Sequence, residues 1–258
     1  MTAREAVARD VVVDGKRLET VRYDGDPASP PIVLLHEGLG SVSLWRDFPE
    51  RLRERTGCTT IAYSRYGYGR SDVLREKREP DYMHHEGEVV LPALLRALDV
   101  ERPILFGHSD GASIALIAAG AHPELPRALI LEAPHVFVED VSVRSIAQAK
   151  TAFASTDLPA KLARHHADAA ATFRGWNDIW LDPRFRAWNI EAHAARVRVP
   201  VLLIQGDADE YGTTAQLDAI AARVADAETL LVPGAGHSPH RDAPDTVLDR
   251  VAAFVARL

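Results

Sequence analysis

Along the chain, short uninterrupted apolar runs alternate with longer stretches whose apolar positions recur every three or four residues. The short runs fit strands buried on both faces and the longer ones amphipathic helices. Their alternation predicts a mostly parallel sheet covered by helices. The first stretch departs from this pattern: VVVDGKRLETVRYDG reads as two strands joined at Asp14-Gly15, a dipeptide suited to the left-handed torsions of a tight hairpin. IVLLH and TTIAYS follow as buried strands. Between them SLWRDFPERLRERT carries Leu44, Trp45, Phe48 and Leu52 on one face of a predicted helix that runs through Pro49. A glycine-rich loop, SRYGYGRSD, leads into the helical stretch DYMHHEGEVVLPALLRALDV. PILFGHS is a strand that runs straight into the small-residue helix DGASIALIAAGAH. RALILEAPH, VPVLLIQG and TLLVPG are further strands, with TAQLDAIAARVA and DTVLDRVAAFVARL as helices, giving about eight strands.

One segment breaks the alternation. From Val136 to Ala195 no strand pattern appears, whereas SIAQAKTAFAST, DLPAKLARHHADAAATFRGW and PRFRAWNIEAHAA read as helices. About 60 residues is too long for a loop. The segment 136–195 reads as a helical cap inserted into a core domain formed by 1–135 and 196–258.

The 258 residues are 47% hydrophobic, enough for a sizeable core, and the formal charge of −7 disfavours nucleic acid and anionic lipid surfaces as partners. The single cysteine, Cys58, excludes an intramolecular disulfide and reads as a small buried hydrophobe. MTAREAVARDVVVDG has no apolar run of signal-peptide type, and no run approaches the ~20 residues of a membrane span. The expectation is a soluble, cytoplasmic protein.

Candidate chemistry lies at the ends of the strands. Gly107-His108-Ser109-Asp110-Gly111 matches G-x-S-x-G where an apolar strand meets a helix, the context in which the motif lifts a serine above the sheet edge. A serine hydroxyl needs a base. His237, in GAGHSPH after the last strand, is preferred over His240, which lies further towards the helix. Among Asp207, Asp209 and Glu210, at the end of VPVLLIQG, Asp209 sits best to orient that histidine. The backbone N–H of Asp110, beside the nucleophile, and of Gly38, after IVLLH, are the expected oxyanion donors. Glu37, Leu39, His135, Trp176, Trp180 and Tyr211 are candidates for the substrate pocket, although for any one aromatic of the cap, including Phe153, Phe173 and Trp188, a role in the cap's own core competes.

In these blocks the sequence resembles the α/β-hydrolase superfamily over nearly its whole length. LLHEGLGS looks like its oxyanion block, SRYGYGRS like its G-x-G-x-S loop, GHSDGA like its nucleophile elbow, QGDADEYG like its acid loop and GAGHSPH like its histidine loop. The resemblance implies an eight-stranded, mostly parallel sheet with a helical cap, and hydrolysis of a small-molecule ester or thioester without metal or organic cofactor. Glu37 departs from the family, standing where glycine is usual. Asp110 follows the nucleophile where many members carry a neutral residue, and is expected to point away from the oxyanion.

Ser109 argues against epoxide hydrolases and haloalkane dehalogenases, which resemble this fold but carry aspartate at the elbow. Carbon–carbon bond hydrolysis and perhydrolysis use the same three residues and stay open, as does acyl transfer to another hydroxyl. A ligand receptor of hydrolase fold would have no use for all three residues. The histidine pairs His84-His85 and His165-His166 point to different faces of a helix, do not chelate, and read as surface or cap residues. The pattern specifies neither the substrate nor an oligomeric state.

Overall fold

The all-apolar runs form the interior of one sheet. The computed structural model describes residues 6–258. Strands β1 (Val7–Val13), β2 (Lys16–Tyr23), β3 (Ile32–Leu35), β4 (Thr60–Tyr63), β5 (Ile104–His108), β6 (Ala128–Glu132), β7 (Val201–Gly206) and β8 (Ala227–Val232) lie in the order β1-β2-β4-β3-β5-β6-β7-β8. β1, β2 and β4 pair antiparallel; every pairing from β4 through β3 to β8 is parallel. The β1–β2 hairpin turns at Asp14 and Gly15, with φ of 51° and 70°, the torsions its dipeptide favours. β3, β4, β5 and β7 are buried throughout, and alternate residues feed two cores. Val33, Leu35 and Leu105 enter one; Ile32, Leu34, Ile104 and Phe106 enter the other.

The helices are α1 (Phe48–Thr56), α2 (Tyr82–His85), α3 (Leu91–Ala97), α4 (Asp110–Ala121), α5 (Asp140–Ser155), α6 (Leu158–Leu162), α7 (Ala169–Trp180), α8 (Glu191–Ala194), α9 (Ala215–Ala221), α10 (Pro239–Asp242) and α11 (Pro244–Val255). Two of them correct the sequence reading. The helix expected through Pro49 is broken: a 3-10 turn at Val42–Trp45 ends at Arg46, whose φ is 54°, and α1 starts afresh with Pro49 in its first turn, where a missing N–H costs nothing. The stretch from Tyr82 to Ala97 is helical but opens into a π-turn at Glu86–Val90. Pro92 cannot donate to the carbonyl of Glu88, which accepts instead from His122 Nε2 at 2.9 Å.

Between β6 and β7 the chain makes a helical excursion through α5, α6, α7, a 3-10 turn at Pro183–Ala187 and α8. Its two ends meet in a neck, where Phe137 bridges Asn189 and Ile190 N–H donates to the carbonyl of Val136 at 2.8 Å. Phe173, Phe185 and Trp188 are buried in its interior, and Phe153 stacks on Phe173 with ring centroids 3.9 Å apart. Cys58 is buried as a small hydrophobe. Among the described residues, no helix is long and apolar enough to cross a membrane.

Candidate active site

The site assembles where β3, β5, β6, β7 and β8 end. Because these strands run parallel, the loops that follow them collect at one edge of the sheet. Ser109 sits between β5 and α4 with φ 53° and ψ −118°, outside the comfortable range of a residue with a Cβ. The turn is that sharp because α4 packs directly under β3: a Cβ at Gly111 would lie 2.0 Å from the carbonyl oxygen of Leu35. Ser109 thus tops the N-terminus of α4, whose first N–H groups have no intrahelical acceptor.

His237 reaches it from the loop after β8. Nε2 accepts the Ser109 hydroxyl at 2.9 Å, and Nδ1–H donates to Asp209 at 2.9 Å and 3.0 Å to its two oxygens. An acceptor-only carboxylate at Nδ1 fixes the tautomer that leaves Nε2 free as a base. Asp209 is itself held by N–H groups of Tyr211 and Gly212, at 2.8 Å and 3.2 Å, and by Gln205 at 3.2 Å. Burial pushes its carboxyl up, but the bonds from His237 and Tyr211 outweigh this and hold it below the ordinary carboxylate value. The acids set aside in favour of Asp209 brace the same loop. Asp207 accepts from Gly234 N–H at 2.7 Å and Glu210 from His237 N–H at 3.2 Å.

The peptide linking Glu37 to Gly38 is oriented from behind. The Glu37 carbonyl accepts from His36 Nδ1 at 2.7 Å, from Arg65 Nη2 at 3.0 Å and from Gly40 N–H at 3.1 Å. In a trans peptide the Gly38 N–H points the opposite way, and Gly38 lines the cavity beside Ser109. Trp176 Nε1 covers it so closely that a Cβ at Gly38 would fall 2.1 Å from that nitrogen. The Asp110 carboxylate is drawn away, accepting from Tyr82 Oη at 2.8 Å and from Trp180 Nε1 at 3.2 Å, and burial raises its pKa. The Glu37 carboxylate also turns back, towards Arg241 Nη2 at 3.1 Å and His108 Nδ1 at 3.6 Å.

The cavity over Ser109 has a volume of about 130 Å³. Glu37, Leu39, His135, Trp176, Trp180 and Tyr211 all line it, together with Ile146, His108 and Ser238, which the sequence did not single out. A larger groove, about 390 Å³, lies between residues 74–79 and α7, is lined largely by charged side chains and contains none of Ser109, Asp209 and His237.

Beneath this site lies a second layer that the motifs do not disclose. His108 Nε2–H donates to the carbonyl of His237 at 2.8 Å. Glu132, wholly buried at the end of β6, accepts from His240 N–H at 2.7 Å and from His240 Nδ1 at 2.6 Å. His108, Glu132 and His240 bring potential ligand atoms within 4.8 Å of one another. A separation of 2.6 Å between Glu132 and His240 is a hydrogen bond, shorter than the roughly 3.3 Å between two ligands of one tetrahedral zinc ion. His166, within the excursion, is buried: it accepts from Gly69 N–H at 3.0 Å and donates to the Leu39 carbonyl at 3.0 Å, tying the excursion to the loops after β3 and β4.

A model of the alpha/beta hydrolase family matches residues 32–250. The chain is 24% identical to 2-(acetamidomethylene)succinate hydrolase of Mesorhizobium japonicum, over 89% of this chain and 90% of that protein. It is 24% identical to the sn-1-specific diacylglycerol lipase ABHD11 of Mus musculus, over 90% of this chain and 83% of that one. Among solved structures, the enol-lactonase of Burkholderia xenovorans LB400 superposes with a TM-score of 0.76 at 20% identity, covering 96% of this chain and all of that one, a likeness of fold. With the family model spanning all of the parallel sheet and the loops that carry Ser109, Asp209 and His237, the chain belongs to the alpha/beta hydrolase family and is a hydrolase.

Proposed function

We propose that the protein cleaves a carboxylic ester or thioester of a small molecule through an acyl-enzyme on Ser109. The observation that carries this reading is the unbroken chain of hydrogen bonds from Ser109 Oγ through both nitrogens of His237 to Asp209. His237 takes the hydroxyl proton as Oγ attacks the carbonyl carbon. The N–H groups of Asp110 and Gly38 receive the oxyanion, which forms in a pocket whose nearest carboxylates are turned away. His237 then protonates the leaving group, and a water deprotonated by the same imidazole releases the acid and restores Ser109. Asp209 stays ionised and stabilises the imidazolium. The excursion 136–195 serves as a cap: Trp176 on Gly38, Trp180 on Asp110 and Ile146 at the cavity wall shape the space for the acyl group.

The test is hydrolysis of a panel of nitrophenyl esters and acyl thioesters, with fluorophosphonate labelling of Ser109 alongside. Ser109→Ala should abolish both labelling and turnover, and Asp209→Asn should lower kcat by on the order of 10⁴-fold. Near-normal turnover in Ser109→Ala would sink the serine mechanism. Labelling at Ser109 with silence across the panel would instead favour carbon–carbon bond cleavage on the same three residues.

A further inference from the structure

Of the polar side chains of the cavity that have neither a task in the hydrolytic scheme nor a hydrogen-bond partner among the described residues, His135 is the most deeply buried. His135 stands just past β6, its ring centroid 5.8 Å from that of His237 and 5.1 Å from that of Trp180. It lines the cavity, is only 3% exposed, and its imidazole makes no hydrogen bond among the described residues; Nδ1 is buried without a partner. Packing alone calls for a phenyl ring there, because an unpartnered buried imidazole forfeits its hydrogen bonds to water.

The backbone is arranged to hold that ring in place. Ala133, which is neither glycine nor asparagine, takes φ 47° and turns the chain up from β6. Ser113 Oγ, one turn into α4, donates to the His135 carbonyl at 2.7 Å and accepts from its N–H at 3.2 Å. Gln216 fixes the next residues, accepting from Val136 N–H at 2.7 Å and donating to the Phe137 carbonyl at 3.1 Å. Burial, with His237 beside it, pushes the imidazole down to about 3, so the ring is neutral and offers one donor and one acceptor.

Charge narrows the occupant further. Neither lysine nor arginine lines the cavity, and its two carboxylates are engaged elsewhere. An anionic acyl group would enter without a counter-ion. At about 130 Å³ the cavity is well below the roughly 300–1,000 Å³ of pockets that take drug-sized ligands, so it suits a short acyl group. The acyl group is the part of the substrate that stays on Ser109 through both half-reactions, so it is the part that this wall reads throughout. A hydroxyl, donor and acceptor at once, pairs with either tautomer of a neutral imidazole.

Building on the serine-hydrolase reading, we propose that the acyl group is small and uncharged and carries a hydroxyl on its α or β carbon, which His135 recognises by a hydrogen bond. The experiment compares nitrophenyl esters of butyrate, 2-hydroxybutyrate, 3-hydroxybutyrate and the succinate half-ester. At least one hydroxy ester should exceed butyrate in kcat/KM by roughly tenfold, and the succinate ester should fall at or below butyrate. In His135→Phe the ratio of hydroxy to plain ester should collapse towards one, and in His135→Gln part of it should return. The ratio is taken within each variant, so a general loss of activity cancels, and fluorophosphonate labelling of Ser109 reports that the site is assembled. Labelling without a hydroxyl preference in the unaltered protein overturns the proposal alone, whether or not the variants fold. A preference that survives His135→Phe, or a preference for succinate, overturns it too. No labelling and no turnover of any ester overturns the serine reading, and this one with it.

Discussion

Glu132 closes β6 with its carboxylate wholly inside the protein, a place where an unpaired acid is rarely tolerated. Its two oxygens are both taken by His240, from the backbone N–H and from Nδ1. Burial pushes the Glu132 pKa up, yet His240 and His108 more than offset it, and the carboxyl stays below its ordinary value. His240 follows His237 by three residues, so the pair pins the loop that carries the proposed base. His108 pins the same loop through the carbonyl of His237. Glu132→Gln would turn an amide donor towards a donor of His240 and leave it stranded. The expected loss is about 1–3 kcal/mol, seen in urea unfolding as a lower midpoint with unchanged slope. An unaltered midpoint would mean that the pair does not brace the loop. None of this was legible in the sequence. Ser109 announces itself because its motif is local and its glycines are required by the turn. Glu132 reads only as the end of an apolar strand, and His240 as a rival base, until the fold brings together residues 108 positions apart. Arg65 is hidden in the same way: within SRYGYGRS it reads as a loop cation, yet it is fully buried and holds the carbonyls of His36 and Glu37.

At the scale of elements, the strands were the most legible part, since an all-apolar run buried on both faces fits few other places in a small domain. The helices were less so, and the misreadings fall at Pro49 and Pro92, where one missing N–H breaks or widens a helix without disturbing the apolar periodicity on either side. The junction of β5 and α4 is where element geometry and chemistry coincide. Two glycines separate a local cost from a global one. Gly57 ends α1 at φ 75° with open space around its missing Cβ, so Gly57→Ala meets only the left-handed torsion and should cost about 1 kcal/mol. Gly111→Ala sets a methyl 2.0 Å from the Leu35 carbonyl, against backbone of a central strand that has nowhere to move. It should destabilise the fold by more than 3 kcal/mol, and any folded fraction should lose fluorophosphonate labelling as α4 lifts from the sheet. Equal unfolding midpoints for the two variants would show that β3 and α4 are free to separate.

Across the whole molecule, buried histidine shapes the response to acid. Burial is the main cause holding four of them below the ordinary imidazole value: His36 well below, His135 down to about 3, His166 down to about 4, and His240. They lie in loops or short elements that converge on the same sheet edge, so their protonation bears on the site as well as on the fold. In the unfolded chain each takes a proton near pH 6.5, whereas in the folded protein it stays neutral. The unfolded state therefore binds more protons below that pH, and stability that is full above pH 6.5 is lost as pH falls towards the folded values. The loss is about 1.4 kcal/mol per pH unit for each such histidine. His108 works in the opposite sense. Burial would lower its pKa, but Glu37 and Glu132 raise it, so it gains stability on protonation and offsets part of the loss. The paired carboxylates Glu37, Glu132 and Asp209, all held low, add their share only below about pH 4.5. Urea midpoints should therefore be level from pH 8 to 7 and drop steeply between pH 6.5 and 4.5, before the carboxylates titrate. His166 isolates one contribution. His166→Gln keeps an amide able to accept from Gly69 and donate to Leu39 but does not titrate, and it should lessen the slope between pH 6.5 and 4 by about 1.4 kcal/mol per unit. A midpoint that stays level down to pH 5 in the unaltered protein would mean that these imidazoles accept protons where they lie, and that the loops around Ser109 open to water without unfolding.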